Sequence, residues 1–312
     1  MTYTDKVFIG TDKVAIQIIK LLHTAGLAIF AIALMTGCVK DELYNTPHPD
    51  RGAVRITTGW TGHSSDAVLP DSYILRVGSE EQTVNSETNT FQSLLLPGRQ
   101  SLLVYHSTDG ITIDGTTATV NLLADGTLHP QPGYLFSASK ELDIAADDTL
   151  KVTVQMQQHI RSLVLTLKLN PGDEQRIAGT AATLTGIAPS VNLVTGSIAA
   201  AGKTVAPLFA PGADTDQTRA AGNSILSASL RLLGVMQGEK QLLTIAVSLT
   251  NGTVQTIITD LTEALKNFGS GEMEPLGLDA ALTLPADTEA GAETSATISD
   301  WNPVNNGNIT VN

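Results

Sequence analysis

The residue whose type and position most clearly predict covalent chemistry is Cys38, the only cysteine among the 312 residues. It follows Met35-Thr36-Gly37 at the end of an almost wholly apolar run, residues 25–36. That run is too short to cross a hydrocarbon core as a helix, which needs about 20 residues. Three lysines precede it: Lys6, Lys13 and Lys20. The segment therefore has the positive flank and the apolar core of a signal peptide, with a nucleophilic thiol directly behind it.

The tetrad Met35-Thr36-Gly37-Cys38 resembles the bacterial lipobox. This resemblance implies that the signal peptide, residues 1–37, is cleaved between Gly37 and Cys38, and that the cysteine carries a diacylglycerol on sulfur and an acyl group on its new N-terminus. Burial of acyl chains contributes about 0.8 kcal/mol per CH₂, so two or three chains hold a protein on a membrane stably. We therefore expect a chain tethered at Cys38. The alternative is a secretory signal or a buried helix with an incidental cysteine.

The residues after the cysteine are Val39-Lys40-Asp41-Glu42. A lysine followed by acidic residues at this place resembles the surface-export signal of Bacteroidetes lipoproteins. Lys40, Asp41 and Glu42 therefore imply a lipid-anchored protein of the outer membrane that faces the cell exterior, the alternative being an ordinary charged linker. The long positive flank also contains Asp5 and Asp12, which leaves the true translation start open.

The rest of the sequence offers little chemistry. The nearest approach to a catalytic triad is His63-Ser64-Ser65-Asp66, but adjacent residues of one loop cannot adopt the face-to-face geometry of nucleophile and base. Three acidic pairs fall in predicted turns without the ligand spacing of an EF-hand, so we interpret them as solvated turns, with calcium binding as the alternative. The pairs are Glu80-Glu81, Asp147-Asp148 and Asp173-Glu174. We predict no enzymatic activity, no catalytic residue, no metal site and no cofactor.

Composition narrows the function further. The formal charge is −13, and from Cys38 onward it is −14 because three lysines and two aspartates lie before that residue. No cluster of lysine and arginine is present, so nucleic acid is excluded as a partner. Aromatic residues make up only 4% of the chain, which weakens the idea of a glycan-binding platform. A single cysteine also excludes an internal disulfide.

Periodicity predicts an all-β fold. Residues 38–51 are polar, contain Pro47 and Pro49, and are interpreted as a flexible tether. Alternation of Val54, Ile56, Thr58 and Trp60 predicts the first strand, with Trp60 in the core. Short strand-like runs separated by Asp-Gly turns then indicate a sandwich or barrel. Predicted strands of this part are residues 72–77, 98–105, 111–113, 117–123, 134–142 and 150–156.

A second β-rich part follows Gln157-Gln158-His159, where the apolar pattern is interrupted. We place a domain boundary there, giving an N-terminal sandwich at 52–158 and a C-terminal sandwich at 159–312, with His159 as a linker residue. Residues 199–223, rich in polar residues, are predicted to be a mobile excursion. Predicted strands of this part are residues 163–169, 180–187, 226–232, 243–249, 254–258, 278–284, 294–301 and 308–311.

Two local signals are specific. Alternating apolar residues on both sides of Asn251-Gly252 predict a hairpin with a type I′ turn. Directly after it, Asp260 to Phe268 is predicted to be a short helix that closes one end of the second sandwich. Asp260 would cap this helix, Glu263 would complete a capping box, and Gly269 would end it in the left-handed conformation.

Five further segments carry a resemblance to the fimbrillin-like lipoproteins of Bacteroidales, and most closely to the FimB-type fimbrial anchor subunits. In chain order they are Pro47-His48-Pro49-Asp50-Arg51-Gly52, Pro132-Gly133-Tyr134-Leu135-Phe136, Met156-Gln157-Gln158, Leu232-Leu233-Gly234-Val235 and Trp301-Asn302-Pro303-Val304-Asn305. The resemblance implies two transthyretin-like antiparallel β-sandwich domains in tandem. It also implies fimbrial subunits as partners, joined by β-strand donation.

The resemblance leaves the place in the fibre open. Anchor subunits of the family keep their lipid at the base of the fibre, whereas pilins lose an N-terminal segment by cleavage after a basic residue. Four arginines are candidates for such a cleavage: Arg51, Arg55, Arg76 and Arg99. The alternative function is a surface lipoprotein that binds glycans or a host ligand, for which an exposed cluster of Trp and Tyr would be the distinguishing observation.

Overall fold

The computed structural model describes residues 49–198, 201–213, 224–286 and 295–304. Over these ranges the fold is almost entirely β-structure, which confirms the predicted all-β class. The strands before residue 160 are β1 Ala53–Gly59, β2 Tyr73–Val77, β3 Glu80–Val84, β4 Thr88–Thr90, β5 Gly98–Tyr105, β6 Ile111–Asp114, β7 Thr117–Val120, β8 Phe136–Ile144, β9 Thr149–Gln155 and β10 Gln157–Gln158. Later strands are β11 Arg161–Leu169, β12 Ile177–Ile187, β13 Ser190–Asn192, β14 Lys203–Val205, β15 Ala210–Ala213, β16 Ser224–Leu232, β17 Leu242–Leu249, β18 Val254–Asp260, β19 Leu276–Thr283, β20 Thr297–Ile298 and β21 Asn302–Val304.

The first sandwich consists of a three-stranded sheet, in the order β4-β1-β9, and a five-stranded sheet, in the order β10-β8-β5-β2-β3. Alternate residues of the strands face each other between the sheets because side chains alternate across a strand. Val54 and Ile56 of β1 and Leu75 of β2 are fully buried in this way. The alternation seen in the sequence therefore places the first core.

The second sandwich contains the sheets β15-β16-β11-β19-β20, with β21 beside β19, and β14-β12-β17-β18. Its core is centred on Leu163, Leu165 and Leu167 of β11 and on Ile245 and Val247 of β17, all fully buried. A small third layer, in the order β13-β7-β6, joins strands from both parts of the chain. Two tandem sandwiches therefore share one continuous fold.

Pairing is mainly antiparallel, but each sandwich contains one parallel pair. β1 runs parallel to β9 over seven residues, from Ala53 opposite Thr149 to Gly59 opposite Gln155. β11 runs parallel to β19, from Leu163 opposite Leu276 onward. In each sandwich, the first strand is thus hydrogen-bonded to one of the last strands.

The segment between the sandwiches is more ordered than the sequence suggests. Gln157 and Gln158 form β10 and pair with β8, and Ile160 is fully buried. His159, predicted to be a linker residue, lies between β10 and β11 and is also buried. Its amide donates to the Leu135 carbonyl at 2.8 Å, a partner distant in sequence that local pattern cannot show. Contacts join residues 50–312 into one unit, and the division at 158/159 stays a prediction.

The hairpin after β17 forms as predicted, but its turn is different. Ser248 lies opposite Val254, and the Leu249 amide donates to the Thr253 carbonyl at 2.8 Å. Three residues, Thr250 to Gly252, therefore make the loop, and only Gly252 has a positive φ, 87°. A type I′ turn needs positive φ at both central residues of a two-residue loop, so that prediction is wrong. The geometry is that of a three-residue loop with glycine in the left-handed position.

The helix is shorter than predicted. α1 covers only Thr262–Leu265. The Asp260 carboxylate accepts from the Thr262 amide at 3.0 Å and thus caps the first N–H group of the helix, as predicted. Glu263 pairs with Lys266, so no capping box forms. Gly269 does end the segment with φ 83°, and Leu261, Leu265 and Phe268 are buried as predicted.

Two other local predictions change. Residues 199–223 were predicted to be an excursion, yet they contain β14 and β15 within their described part. Glu80-Glu81 begins β3 and does not form a turn, and Asp173-Glu174 begins a 3₁₀ turn at Asp173–Gln175. Asp147-Asp148 does lie in the reversal between β8 and β9.

Candidate assembly surface

The residues predicted to carry the lipid and the export signal precede the part of the chain that the structure describes. Gly37, Cys38, Lys40, Asp41 and Glu42 all lie outside the described residues. The predicted terminal strand at 308–311 lies outside them as well. Lipidation, signal cleavage and export therefore stay predictions, and the described surface must be considered from Pro49 onward.

The start of the fold is held firmly. We call residues 51–53 the tether root, because the predicted tether joins the fold there. The Gly52 amide donates to the Leu95 carbonyl at 2.9 Å, and the Leu95 amide donates back at 2.8 Å. On the other side, Ala53 donates to Asp148 at 2.8 Å and Asp147 donates to Arg51 at 3.0 Å.

Close packing explains the glycine at this point. A Cβ on Gly52 would lie 2.2 Å from the Ala145 carbonyl oxygen, which is backbone and cannot move aside cheaply. The backbone at Ala145 therefore approaches the tether root more closely than any side chain at position 52 would allow.

The segment His63-Ser64-Ser65-Asp66 joins the two sandwiches, and its histidine is paired with neither of its serines. The His63 ring contacts the Ser64 carbonyl at 2.9 Å and neither serine hydroxyl. Ser64, Ser65 and Asp66 each form a hydrogen bond with a different residue outside the segment. The Ser64 amide donates to Gln158 at 2.8 Å, the Ser65 hydroxyl donates to Glu274 at 2.7 Å, and the Ser162 hydroxyl donates to Asp66 at 2.6 Å.

Asp66 is the centre of a polar group that we call the junction cluster: Asp66, Tyr134, Ser162 and Arg231. The Tyr134 hydroxyl donates to the Asp66 carboxylate, and the Arg231 guanidinium carbon lies 4.7 Å from the centre of the Tyr134 ring. Asp66 and Tyr134 belong to the first sandwich, whereas Ser162 and Arg231 belong to the second. The cluster therefore fastens one sandwich to the other through hydrogen bonds and a cation–π contact.

Charge in the junction cluster is fixed by its surroundings. Burial, together with the hydrogen bond to Asp66, raises the pKa of Tyr134 to about 12. Burial alone would raise the pKa of the Asp66 carboxyl, but the hydrogen bonds of Ser162, Ser64 and Tyr134 together bring it below its ordinary value. The pair is thus held as a neutral phenol and a carboxylate. The sequence showed no signal for this cluster, because its members are spread from position 66 to position 231.

Two histidines are buried in the same region and serve the fold. Burial lowers the pKa of His159 to about 4, and its Nε2 lies 2.7 Å from the Ser137 hydroxyl. Burial also lowers the pKa of His106, whose Nε2 accepts from the Phe136 amide at 3.1 Å. Both rings are therefore neutral at physiological pH. In the described ranges, no three His, Cys, Asp or Glu side chains come together in a group that could hold a metal ion.

Most sheet edges in the described ranges are protected against pairing with another chain. β4, β10, β14, β20 and β21 are two or three residues long, and β15 contains Pro211. β3 begins with two glutamates, and β9 exposes Lys151 at its centre. Short length, proline and charge are the devices that block edge-to-edge association. On β9, Lys140 also donates to the Thr153 carbonyl at 3.3 Å.

β18 has none of these protections. It is seven residues long and lies at the end of the sheet β14-β12-β17-β18. Its sequence is Val-Gln-Thr-Ile-Ile-Thr-Asp, so the single charge stands at the last position. The odd-numbered residues exchange hydrogen bonds with β17, as the Leu249 to Thr253 bond shows. The backbone N–H and C=O groups of Val254, Thr256 and Ile258 therefore point toward the open side.

Two exposed apolar side chains stand on the outer face beside this edge. Val254 is 58% exposed and Ile258 is 65% exposed. Their neighbours across β17 are Ser248 and Thr244. This surface, which we call the β18 edge, therefore offers free backbone groups in a row and two apolar side chains next to small ones. Such an edge fits an added strand, whose backbone would supply the missing partners.

A shallow cleft of about 660 Å³ lies on the outer face of the five-stranded sheet. Arg76, Glu81, Ser101 and Ser139 line it together with Leu103. Its aromatic neighbour, Tyr105, is buried and donates to Glu81 at 2.8 Å. Elsewhere, Trp60 packs edge-on against Tyr73 and Phe136 with ring centres 5.6 Å apart, which agrees with its predicted core position. The described aromatic rings therefore support the fold and are not presented as a platform.

No helix in the described ranges has both the length and the apolar character needed to cross a membrane. Within the described ranges, the chain thus consists of two tandem sandwiches, a hydrogen-bonded junction between them and one long sheet edge, that of β18, without a protecting charge at its centre.

Comparison with known proteins gives the family. The family model for fimbrillin-A associated anchor proteins Mfa1 and Mfa2 matches residues 44–307, and the chain belongs to this family. The resemblance seen in the sequence is thereby confirmed. No curated protein matches the sequence.

Solved structures with the same fold come from Porphyromonas and Bacteroides species. The fimbrial anchor protein Mfa2 from Porphyromonas gingivalis is 10% identical with a TM-score of 0.56, and the match covers 81% of this chain and 97% of that one. A candidate adhesin from Bacteroides thetaiotaomicron is 15% identical with a TM-score of 0.53, covering 82% and 98%. A candidate polysaccharide-binding protein from the same species is 9% identical with a TM-score of 0.52, covering 82% and 99%. At these identities the likeness concerns the fold alone.

Proposed function

We propose that this protein is a lipid-anchored subunit of surface fimbriae, held in the outer membrane through acylated Cys38 and joined to a fibre subunit by an added β-strand. Membership of the fimbrial anchor family supports the association with fimbriae. The observation that carries the strand-based assembly is the β18 edge, with its free backbone groups and its lack of charge up to Asp260. Main-chain hydrogen bonds would supply affinity, and the positions of alternate side chains would supply specificity.

The choice of an anchor over a polymerising pilin rests on β1. This strand follows the tether root and is paired on both sides, with β4 and with β9. Val54 and Ile56 fill the core of the first sandwich. Cleavage after Arg76 or Arg99 would remove β1 and expose that core and two strand edges. Cleavage after Arg51 would leave β1 in place but remove Cys38, so the proposed anchor requires that Arg51 is not cleaved.

The tether is tested by Cys38→Ala. We expect this variant to leave the membrane fraction, or to stay there only through an uncleaved signal without acyl mass, since the acyl chains are the proposed attachment. Replacement of Lys40, Asp41 and Glu42 by alanine should leave acylation intact and change only which membrane face carries the protein. Mass spectrometry of the N-terminal peptide and protease shaving of intact cells measure the two effects. A Cys38→Ala protein that is still processed and acylated would contradict the proposal.

The edge is tested by Thr256→Lys. Thr256 is exposed, and a lysine at the centre of an edge strand blocks pairing with another strand. We expect normal folding and a loss of fimbrial subunits from the material that co-purifies with the protein. The matched control is Thr183→Lys, the same change on an exposed position of β12, which is paired on both sides. Equal co-purification of partners with both variants would show that the β18 edge has no part in assembly.

A further inference from the structure

A small apolar loop lies directly against the tether root. Between β4 and β5 the chain reads Ser93-Leu94-Leu95-Leu96-Pro97. Leu95 is buried and exchanges two backbone hydrogen bonds with Gly52, whereas Leu94 is 45% exposed and Leu96 is 55% exposed. The loop is thus fixed to the fold by its central residue and presents the two flanking leucines to the outside. We call residues 94–96 the leucine loop.

Arg51 links the leucine loop to the incoming chain a second time. Its Nη1 donates to the Leu94 carbonyl at 3.2 Å. The loop therefore cannot move away from the tether root without breaking this bond and the pair between Gly52 and Leu95. The point where the chain joins the fold and the exposed leucines form a single surface.

The length of the tether limits how far this surface can lie from the acylated residue. Eleven residues lie between Cys38 and Asp50, so twelve residue-to-residue steps join them. Fully extended, they reach about 40 Å, and a flexible chain of this length has an end-to-end distance of roughly 20 Å. The tether root is thus the part of the fold whose distance from the acyl chains is most restricted by covalent connection.

We infer that the leucine loop rests in the interface of the membrane that holds the acyl chains of Cys38. The occupant of this apolar surface is a lipid layer, with Leu94 and Leu96 among the acyl and headgroup regions. The inference rests on the proposed lipid attachment at Cys38 and adds a second, non-covalent contact to it. Apolar side chains that enter an interface gain from the removal of their surface from water.

Charge does not select a lipid type here. Arg51 and Arg99 flank the leucine loop, but Asp147 and Asp148 lie on the other side of the tether root. Since both signs surround the loop, anionic headgroups should gain little from it. The contact is therefore apolar, and it should be insensitive to salt.

The test places a fluorescent probe in the loop of the acylated, processed protein, taken from its native membrane. Leu96→Trp is reconstituted into vesicles of phosphatidylcholine and phosphatidylethanolamine, with and without bromine on the acyl chains. Emission of wild-type protein, which contains Trp60 and Trp301, is subtracted. We expect the emission of the introduced tryptophan to fall at least about twofold with brominated lipid, because only a side chain within the apolar boundary meets the quencher.

The matched control is Leu122→Trp. Leu122 is 53% exposed and pairs with Leu128, without a bond to the tether root. We expect its emission to be unaffected by bromine. A quenching that is equal at both positions, or absent at position 96, would overturn the inference while leaving the lipid anchor in place.

A failure of the proposed anchor is distinguishable from a failure of the inference. If mass spectrometry finds no acyl chain on Cys38, the proposed attachment is wrong. The contact is then measured with a maleimide lipid coupled to Cys38, which is specific because the chain has one cysteine. That measurement uses residues 38–312, which include the complete compact unit Asp50–Asn312. Quenching at position 96 under these conditions supports the inference, and its absence overturns it.

Discussion

The two sandwiches have the same arrangement of their first strands but differ in their sheet edges. Each begins with a strand that runs parallel to one of its last strands, β1 with β9 and β11 with β19. In the first sandwich the free edges are short or charged, and the chain is clamped where the predicted tether arrives. In the second, β18 keeps a seven-residue edge whose single charge is Asp260 at the last position. The proposed attachment therefore uses the first sandwich, and the proposed association uses the second.

The starting strands also differ in burial. On β1 only one face is covered, so Arg55 stands exposed between Val54 and Ile56. On β11 the first five residues are all buried, because residues of the first sandwich reach Ser162 from the other side. The difference shows that β11 belongs to the second core and to the junction together.

The difference in burial between β1 and β11 predicts different losses of stability, and the largest loss is expected at Val164. Val164→Lys places an ammonium group on the second, buried face of β11, which should cost about 3 kcal/mol of unfolding free energy or more. Thr57→Lys, on the half-exposed face of β1, should cost less than about 1 kcal/mol. Denaturant unfolding of the two variants measures both values. Equal losses would mean that the two strands are covered alike.

The next effect concerns pH and His159. The pKa of His159 is about 4 in the fold and 6.5 ordinarily, so the unfolded chain takes up this proton first as pH falls. The stability contributed by the neutral ring is complete above pH 6.5 and is lost between 6.5 and 4. The loss should reach about 3 kcal/mol. His159→Gln cannot titrate, so its unfolding free energy should fall less over the same pH range. Parallel pH profiles for wild type and variant would contradict the assignment.

A smaller effect is expected from the junction cluster. Asp66→Ala removes the acceptor of two hydroxyl groups, Tyr134 and Ser162, and should cost roughly 1–3 kcal/mol. Since this contact joins the sandwiches, their unfolding should also become less cooperative, which calorimetry would record as a broader or divided transition. Asp66→Asn keeps one oxygen as acceptor and serves as the control. A single sharp transition with an unchanged midpoint in Asp66→Ala would show that the cluster does not couple the two parts.

The smallest effect separates the two residues of the hairpin turn. Gly252→Ala forces a side chain into a positive φ and should cost about 1 kcal/mol. Asn251→Ala should cost about half as much, because Asn251 has an ordinary φ and contributes only its bonds to Thr253. Thermal unfolding of both variants checks the order. The reverse order would indicate the two-residue turn that the sequence had suggested.

The alternation of apolar and polar residues predicted strands well where one face of the strand is buried, because burial of that face is what requires the alternation. Alternation over β17 and β18 reflects burial of one face, so it located that hairpin, and alternation over β1 located the first core strand. Pattern could not give the number of residues in the turn, because Asn-Gly fits a two-residue and a three-residue loop. Nor could it give the hydrogen-bond partners of His159 and Asp66, which are Ser137 and Ser162. Such partners are set by the packing of strands far apart in sequence.

The tether root and β1 together have a mechanical consequence. If a fibre pulls on the fold while acyl chains hold Cys38, the force enters at Gly52 and passes into β1. That strand is bonded to β9 on one side along its whole length and to β4 on the other side. A pull along the strand axis loads these hydrogen bonds in shear, all at the same time, whereas a pull across the strand would open them one after another. The parallel partner at β1 thus makes the attached end of the molecule resistant to extension under tension.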